Sequence, residues 1–82
     1  MTVPVTVRYF AGARAAAGVT EEQRSAATLD ELRAVLAAAH GDKLAKVLTA
    51  CSFLIDGVAA RDHSMPLPAG GTVDVLPPFA GG

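Results

Sequence analysis

The amino-acid sequence predicts an α+β fold, in which one main helix packs on one face of a sheet of about five strands. Three observations predict it: short segments with alternating hydrophobic residues, one segment with helical spacing behind a capping box, and an Asp-Gly turn between two short apolar segments. The 82 residues are enough for one domain. The expected order of elements is β-β-α-α-β-β-β, with a short second helix.

The N-terminal part predicts two strands. The first strand follows from alternating hydrophobic residues, a pattern typical of a strand with one buried face: Val3, Val5, Val7 and Tyr9. The segment 11–18 is flanked by glycines and is predicted to be a loop or a frayed turn. The segment 19–26 is polar and charged, which is typical of a short edge strand.

The middle of the chain predicts the main helix. Thr28 and Glu31 form a capping box, in which each side chain can bond the other residue's amide. Hydrophobic residues then recur on one helical face: Leu29, Leu32, Leu36 and Ala39. Gly41 suits the C-cap, and a shorter helical turn is expected around Leu44, Val47 and Leu48.

The C-terminal part predicts three further strands. Residues 51–55 are apolar and short, as in an interior strand, and Asp56-Gly57 is a strong signal for a hairpin that returns through 58–60. Residues 61–71 are predicted to be a loop, in which Gly70-Gly71 forms a turn. Residues 72–76 alternate again and predict the last strand.

Composition excludes several functional classes. Hydrophobic residues make up 51% of the chain and charged residues 18%, which is typical of a globular domain. The net charge is -1 with scattered basic residues, so nucleic-acid binding is not expected. A single cysteine, no signal-peptide pattern and no membrane-spanning apolar run lead us to expect a cytoplasmic protein.

The last residues are the main functional candidate: Pro77, Pro78, Phe79, Ala80, Gly81 and Gly82. Two prolines favour an extended path, and glycine lacks a Cβ, so such an end can enter a narrow channel. A C-terminal carboxylate is ionised at neutral pH. We therefore expect a domain over 1–78, a flexible tail over 79–82, and the carboxylate of Gly82 as the reactive group.

Two stretches carry a resemblance to a known family. Residues 7–18 are similar to its opening strand and loop, and residues 73–82, which end in LPPFAGG, are similar to its closing strand and tail. The chain resembles the MoaD/ThiS family of ubiquitin-like sulfur carriers, most closely its MoaD-type members, the small subunits of molybdopterin synthase. The resemblance implies a β-grasp fold with a mixed sheet.

The resemblance also implies a mechanism for molybdenum cofactor biosynthesis. A partner E1-like enzyme would use ATP and Mg²⁺ to adenylate Gly82, and a sulfur donor would convert the adenylate to a thiocarboxylate. The synthase large subunit, in a heterotetramer, would bind the tail and pass the sulfur to a pterin precursor. The chain itself would be neither an enzyme nor the holder of a cofactor or metal ion. Gly81 would belong to the reactive end together with Gly82. The residues expected to contact the partner are Pro77, Pro78, Phe79, Ala80, Phe10 and Arg8.

Phe79 departs from the small aliphatic residue that the family pattern leads us to expect. It could anchor the tail at the mouth of the partner's channel or fit a different partner. Three other functions remain open: a sulfur carrier for thiamin or cysteine biosynthesis, a protein modifier joined to lysines through Gly82, and an interaction domain with an idle tail.

A few other residues have two interpretations. Arg8 and Phe10 lie on the strand face opposite Val5 and Val7, so Phe10 either forms part of an exposed partner surface or packs under the following loop. Cys51 is expected to be an inert thiol in apolar surroundings. His40 is expected at a helix C-terminus, where a positive charge suits the helix dipole.

Overall fold

A computed structural model of the chain describes residues 4–78. Within this range the chain forms five strands and three helices. Their bounds are β1 Pro4–Tyr9, α1 Ala11–Ala17, β2 Glu21–Ser25, α2 Leu29–His40, α3 Asp42–Ala50, β3 Ser52–Ile55, β4 Val58–Ala59 and β5 Thr72–Leu76.

The strands form one mixed sheet in the order β2-β1-β5-β3-β4. β1 and β5 are parallel, and the other neighbouring pairs are antiparallel. This is the β-grasp arrangement that the resemblance implies, and the prediction of an α+β fold is confirmed. The polar segment after α1 lies at the edge of the sheet as β2, as expected. The last strand, β5, lies in the centre, so it is hydrogen-bonded on both sides.

One hydrophobic core joins the three helices to one face of the sheet. Side chains alternate across a strand, so every second residue of β1 and β5 faces the helices. These inward residues are almost fully buried, which confirms the predicted alternation. The core is aliphatic apart from Tyr9 and Phe53. Its largest fully buried side chains are Leu29, Leu32, Leu36, Leu44, Val5, Val7, Val73 and Val75.

The prediction of a loop over residues 11–18 is wrong, because Ala11–Ala17 forms α1. Alanine has the highest helix propensity, and Ala13 is fully buried in the core, so both local preference and packing stabilise this helix. Gly18 ends the helix with φ 81°, and its N–H donates to the Arg14 carbonyl at 2.9 Å. The glycine that suggested a loop therefore marks the end of the helix.

The main helix begins and ends where the sequence predicts. The Glu31 amide donates to Thr28 Oγ1 at 3.2 Å, which is one of the two bonds of the expected capping box. Gly41 follows the helix with φ 88°. α3 is longer than the expected turn, since Leu44 and Leu48 are four residues apart and both are buried in the core.

The turns around β3 and β5 agree with the sequence. Asp56 and Gly57 both have positive φ angles, 50° and 83°, as a two-residue hairpin of the primed type requires. Gly70 has φ 72° and forms the predicted turn before β5. The predicted interior strand begins at Ser52, one residue later than expected, because Cys51 is the C-cap of α3.

Candidate functional site

The final strand leads directly to the predicted reactive end. β5 lies between β1 and β3 and ends at Leu76, and it is followed by a half-buried Pro77 and an exposed Pro78. The predicted tail, Phe79 to Gly82, lies outside the described residues, so its roles stay predictions. Four extended residues span about 13 Å, which is enough to reach from a domain surface into a partner's pocket.

Phe10 lies beside the end of this strand. Its N–H donates to the Val75 carbonyl at 3.2 Å. This bond places the start of α1 beside the C-terminal end of β5. The Phe10 side chain is half-buried, so neither of its two interpretations holds fully: it is neither a freely exposed aromatic residue nor a core residue. The structure thus brings together Phe10 and the base of the tail.

Arg8 points to the sheet face opposite the core and binds Asp74 across the β1–β5 pair. Its Nε donates to Asp74 Oδ1 at 2.8 Å and its Nη2 to Oδ2 at 3.4 Å. The guanidinium also lies over the Phe10 ring, 5.6 Å from the ring centroid. Sequence reasoning selected Arg8 and Phe10 and missed Asp74, which becomes visible only once β1 and β5 are known to be parallel neighbours.

A groove of about 380 Å³ opens next to these residues. It lies between the paired strands β1 and β2 and the start of α1. Its lining carries two positive charges and one negative charge. The lining residues are Arg8, Tyr9, Phe10, Arg14, Thr20 and Glu21. Phe10, whose N–H donates to the Val75 carbonyl, is the lining residue that connects this mixed-charge groove to β5.

A second polar cluster, which the sequence did not reveal, joins β2 to the end of α2. Glu22 faces inward, and its carboxylate accepts from the Tyr9 hydroxyl at 2.6 Å and from Arg24 Nε at 2.7 Å. His40 Nε2 lies 2.5 Å from the same carboxylate, at the helix C-terminus where it was expected. The inward position of Glu22 could have been found from the alternation along β2.

Burial and hydrogen bonding act on this cluster in opposite directions. Burial alone would raise the pKa of Glu22, but the hydrogen bonds from Tyr9, His40 and Arg24 outweigh it and lower that pKa below its ordinary value. For Tyr9, burial and then the bond to Glu22 raise the pKa well above its ordinary value. The carboxylate is thus ionised and the phenol neutral, so the cluster is suited to holding β2 against the helix layer.

Cys51 has the surroundings of an unreactive thiol. Its Sγ donates to the Val47 carbonyl at 3.1 Å, and burial raises its pKa, an effect that Arg33 opposes only in part. His63 Nδ1 is 3.3 Å from Arg33 Nη1, and the His63 ring packs edge-on against the Phe53 ring.

Within residues 4–78, no three His, Cys, Asp or Glu side chains are grouped so that they could hold a metal ion. None of the helices in this range is long and apolar enough to cross a membrane.

Comparison with known proteins places this geometry in a family. The ThiS family model matches residues 7–82, a range that begins within β1 and includes β5, Gly81 and Gly82. No curated protein matches the chain by sequence.

Three solved structures are similar over nearly the whole chain. Small archaeal modifier protein 1 from Methanosarcina acetivorans has a TM-score of 0.87 at 23% identity, and the alignment covers 100% of this chain and 99% of that one. A putative molybdopterin converting factor subunit 1 from Pyrococcus furiosus has a TM-score of 0.79 at 24% identity, covering 95% and 100%. A chain of the complex of subunits 1 and 2 of the molybdopterin-converting factor from Helicobacter pylori has a TM-score of 0.74 at 28% identity. That alignment covers 98% of this chain and 100% of the other.

Proposed function

The chain belongs to the ThiS family, and we propose on that premise that it carries sulfur on its C-terminal Gly82 for molybdopterin biosynthesis. Small ubiquitin-like carriers of the ThiS and MoaD type are not enzymes themselves. The observation that supports the proposal most is that the family match continues through β5 to Gly81 and Gly82. A carrier needs a chemically accessible end on a stable support, and β5 is hydrogen-bonded on both sides.

The proposed chemistry explains why the end has to be a bare glycine. A carboxylate is a poor acyl donor because its leaving group would be oxide. Attack of the Gly82 carboxylate on the α-phosphorus of ATP releases pyrophosphate and forms an acyl adenylate, whose leaving group is AMP. Hydrosulfide supplied by a sulfur donor then attacks the acyl carbon, AMP leaves, and a thiocarboxylate remains. Glycine shields the acyl carbon least, since it has no side chain.

The partner chemistry follows from this sequence of steps. An E1-like enzyme would bind ATP and Mg²⁺, while this chain would supply only the tail and the surface around its base. The molybdopterin synthase large subunit would bind the loaded tail and pass its sulfur to a pterin precursor. Fixing the backbone of a bound tail would cost about 1–2 kcal/mol per residue, so contacts at the domain surface would have to offset that cost.

The choice of molybdopterin over thiamin or cysteine biosynthesis has two supports. The Helicobacter pylori complex of converting-factor subunits 1 and 2 includes a chain that is 28% identical to this one. In addition, the Pro77-Pro78 pair before the tail matches the MoaD-type pattern. Co-purification separates the pathways, since the captured protein would be a synthase large subunit, a thiazole synthase or a cysteine synthase.

Intact-mass spectrometry tests the carrier function. The full chain is incubated with the activating enzyme from the same genome, ATP, Mg²⁺ and a sulfur source. We expect a mass gain that corresponds to exchange of one oxygen for one sulfur. Deletion of Gly82 should abolish the gain. Gly12→Ala is the matched control, because a Cβ at this exposed α1 position meets no atom within 4 Å. A product that forms equally after deletion of Gly82 would contradict the proposal.

A second candidate function is that of a protein modifier joined to lysines through Gly82. The similarity to small archaeal modifier protein 1, with its TM-score of 0.87 over the full length, favours this candidate. It predicts higher-mass conjugates of the chain in cells, which trypsin digestion would reveal as modified lysines in other proteins. A thiocarboxylate without such conjugates supports the carrier, and conjugates that depend on Gly82 support the modifier.

A further inference from the structure

Asp74 is buried in an unusual place. Among residues 4–78 it is the only buried charged residue, with 8% of its surface exposed, yet it lies on the sheet face opposite the helices. Its strand neighbours on that face are Arg8 of β1 and Leu54 of β3. The Arg8 guanidinium donates to both carboxylate oxygens of Asp74 and shields this side chain from solvent.

Arg8 is held in place while part of it stays available. The carboxylate of Asp74 binds it on one side, and the Phe10 ring lies beneath its guanidinium. Arginine has five N–H donors, and only two of them donate to partners in the described part of the chain. The Arg8 side chain is 50% exposed, whereas that of Asp74 is 12% exposed. The result is a fixed guanidinium with unused donors at the surface.

This guanidinium lies on the strand beside β5, the strand that precedes the proposed reactive end in sequence. Arg8 is on β1, the strand that pairs with β5, and Phe10 follows β1 as the N-cap of α1. The Phe10 N–H donates to the carbonyl of Val75, two residues before Pro77. A protein that binds the tail over its whole length has to approach this part of the sheet. It would then remove the Arg8–Asp74 pair from water.

We propose that Arg8, positioned by Asp74, selects a partner surface that presents a neutral carbonyl oxygen to the guanidinium and an apolar group to Phe10. This inference rests on the proposed function, because it concerns recognition of the protein that binds the tail. Burying an ion pair is unfavourable unless its remaining hydrogen-bond donors find acceptors. A partner without an acceptor at this point is therefore rejected.

The charges around Arg8 favour a neutral acceptor over a carboxylate. The register places Asp74 on one side of Arg8 and Glu21 directly opposite on the other. Two carboxylates already flank the one guanidinium, and with Arg14 included the charges of Arg8, Arg14, Asp74 and Glu21 sum to zero. A third carboxylate would be repelled by its neighbours, whereas a main-chain or amide carbonyl accepts without adding charge.

Calorimetric titration tests the proposal with the full chain and the molybdopterin synthase large subunit encoded in the same genome. The variants are Arg8→Leu, Asp74→Ala and the two combined. The matched control is Lys46→Leu, which removes an exposed positive charge from α3 in the helix layer. Thermal unfolding of each variant confirms that it is folded. The double variant keeps the test valid if Arg8→Leu alone does not fold, because it leaves no uncovered carboxylate.

We expect Arg8→Leu to raise Kd about tenfold or more and Asp74→Ala to raise it about threefold, with no change for Lys46→Leu. Since Asp74 acts through Arg8, Asp74→Ala should cause no further loss in the Arg8→Leu background. The ratio of the Kd of Arg8→Leu to that of the wild type should change little between about 0.05 and 0.5 M NaCl, because the acceptor that Arg8 binds is uncharged.

Three results would overturn the proposal. Folded Arg8 variants that bind like the wild type would show that Arg8 selects nothing. An Asp74→Ala effect of equal size in both backgrounds would show that Asp74 does not act through Arg8. A steep salt dependence that disappears in Arg8→Leu would identify a carboxylate on the partner. Failure of the wild-type chain to bind the large subunit would instead contradict the proposed function, and this inference with it.

Discussion

The two faces of the sheet are stabilised in different ways. On the helix-covered face, the inward residues of β1 and β5 contact helix leucines, and the contacts are apolar. On the open face, the same two strands are joined by Arg8 and Asp74, and the contact is ionic. Burial of apolar side chains stabilises the fold and is non-directional. An ion pair between partly exposed groups adds little to the free energy of unfolding, but its hydrogen bonds orient the two side chains. The covered face therefore stabilises the fold, and the open face carries the surface that we propose a partner binds.

The largest expected effect is on the covered face. Leu36 is fully buried on α2, so Leu36→Ala leaves a cavity that the surrounding side chains fill only in part. We expect a loss of about 2–5 kcal/mol in the free energy of unfolding. Urea denaturation followed by circular dichroism measures it. A loss below about 1 kcal/mol would show that the helix layer is loosely packed and would weaken the contrast between the faces.

An intermediate effect is expected at the polar cluster on the edge of the covered face. Glu22→Gln keeps the shape but removes the charge that Tyr9, His40 and Arg24 surround. We expect a loss of about 1–3 kcal/mol in the free energy of unfolding at neutral pH. Arg24→Gln is a useful comparison, because it removes one partner of Glu22 and leaves the carboxylate in place.

The pH dependence of the Glu22 effect has a definite sign. The folded pKa of Glu22 lies below its ordinary value of 4.5, so its stabilisation is complete above that pH and is lost as the pH falls through the folded pKa. The stability difference between wild type and Glu22→Gln should therefore narrow below pH 4.5. A difference that stays constant from neutral to acidic pH would mean that the charge of Glu22 does not stabilise the fold.

A smaller effect of opposite sign is expected in α1. Gly12 is exposed, and an added Cβ meets no atom within 4 Å, so Gly12→Ala should raise the free energy of unfolding by about 0.5–1 kcal/mol. The same substitution at Gly71 should destabilise, since a Cβ there would lie 2.6 Å from the Pro68 ring. Thermal melts of the two variants and the wild type test both expectations.

The smallest effect is expected on the open face. Arg8→Gln removes an ion pair whose arginine is half exposed, so the free energy of unfolding should fall by about 1 kcal/mol or less. Chemical denaturation at low and high salt measures the change. A loss as large as that of Leu36→Ala would show that the open face also stabilises the fold, and the distinction between the faces would not hold.

The sequence predicts most elements of this fold because their signals are local. Alternation identifies β1 and β5, the Thr28 cap identifies α2, and Asp56-Gly57 identifies the hairpin. The sequence does not predict α1 because Gly12 and Gly18 suggest a loop despite the helix preference of the alanines, and burial of Ala13 in the core is not visible in the sequence. The candidate site follows the same rule. The prolines and terminal glycines are visible in the sequence, whereas Arg8 and Asp74 are 66 residues apart and meet only in the folded sheet.

The central position of β5 also shapes how the domain folds. β1 is synthesised before β5, its parallel partner, which consists of residues 72–76. The β1–β2 and β3–β4 pairs therefore cannot join into one sheet until β5 has left the ribosome. Contacts between such distant segments raise the contact order, and folding slows because a long loop has to close before the contacts form. An unfinished chain would expose two unpaired inner edges, which favours aggregation.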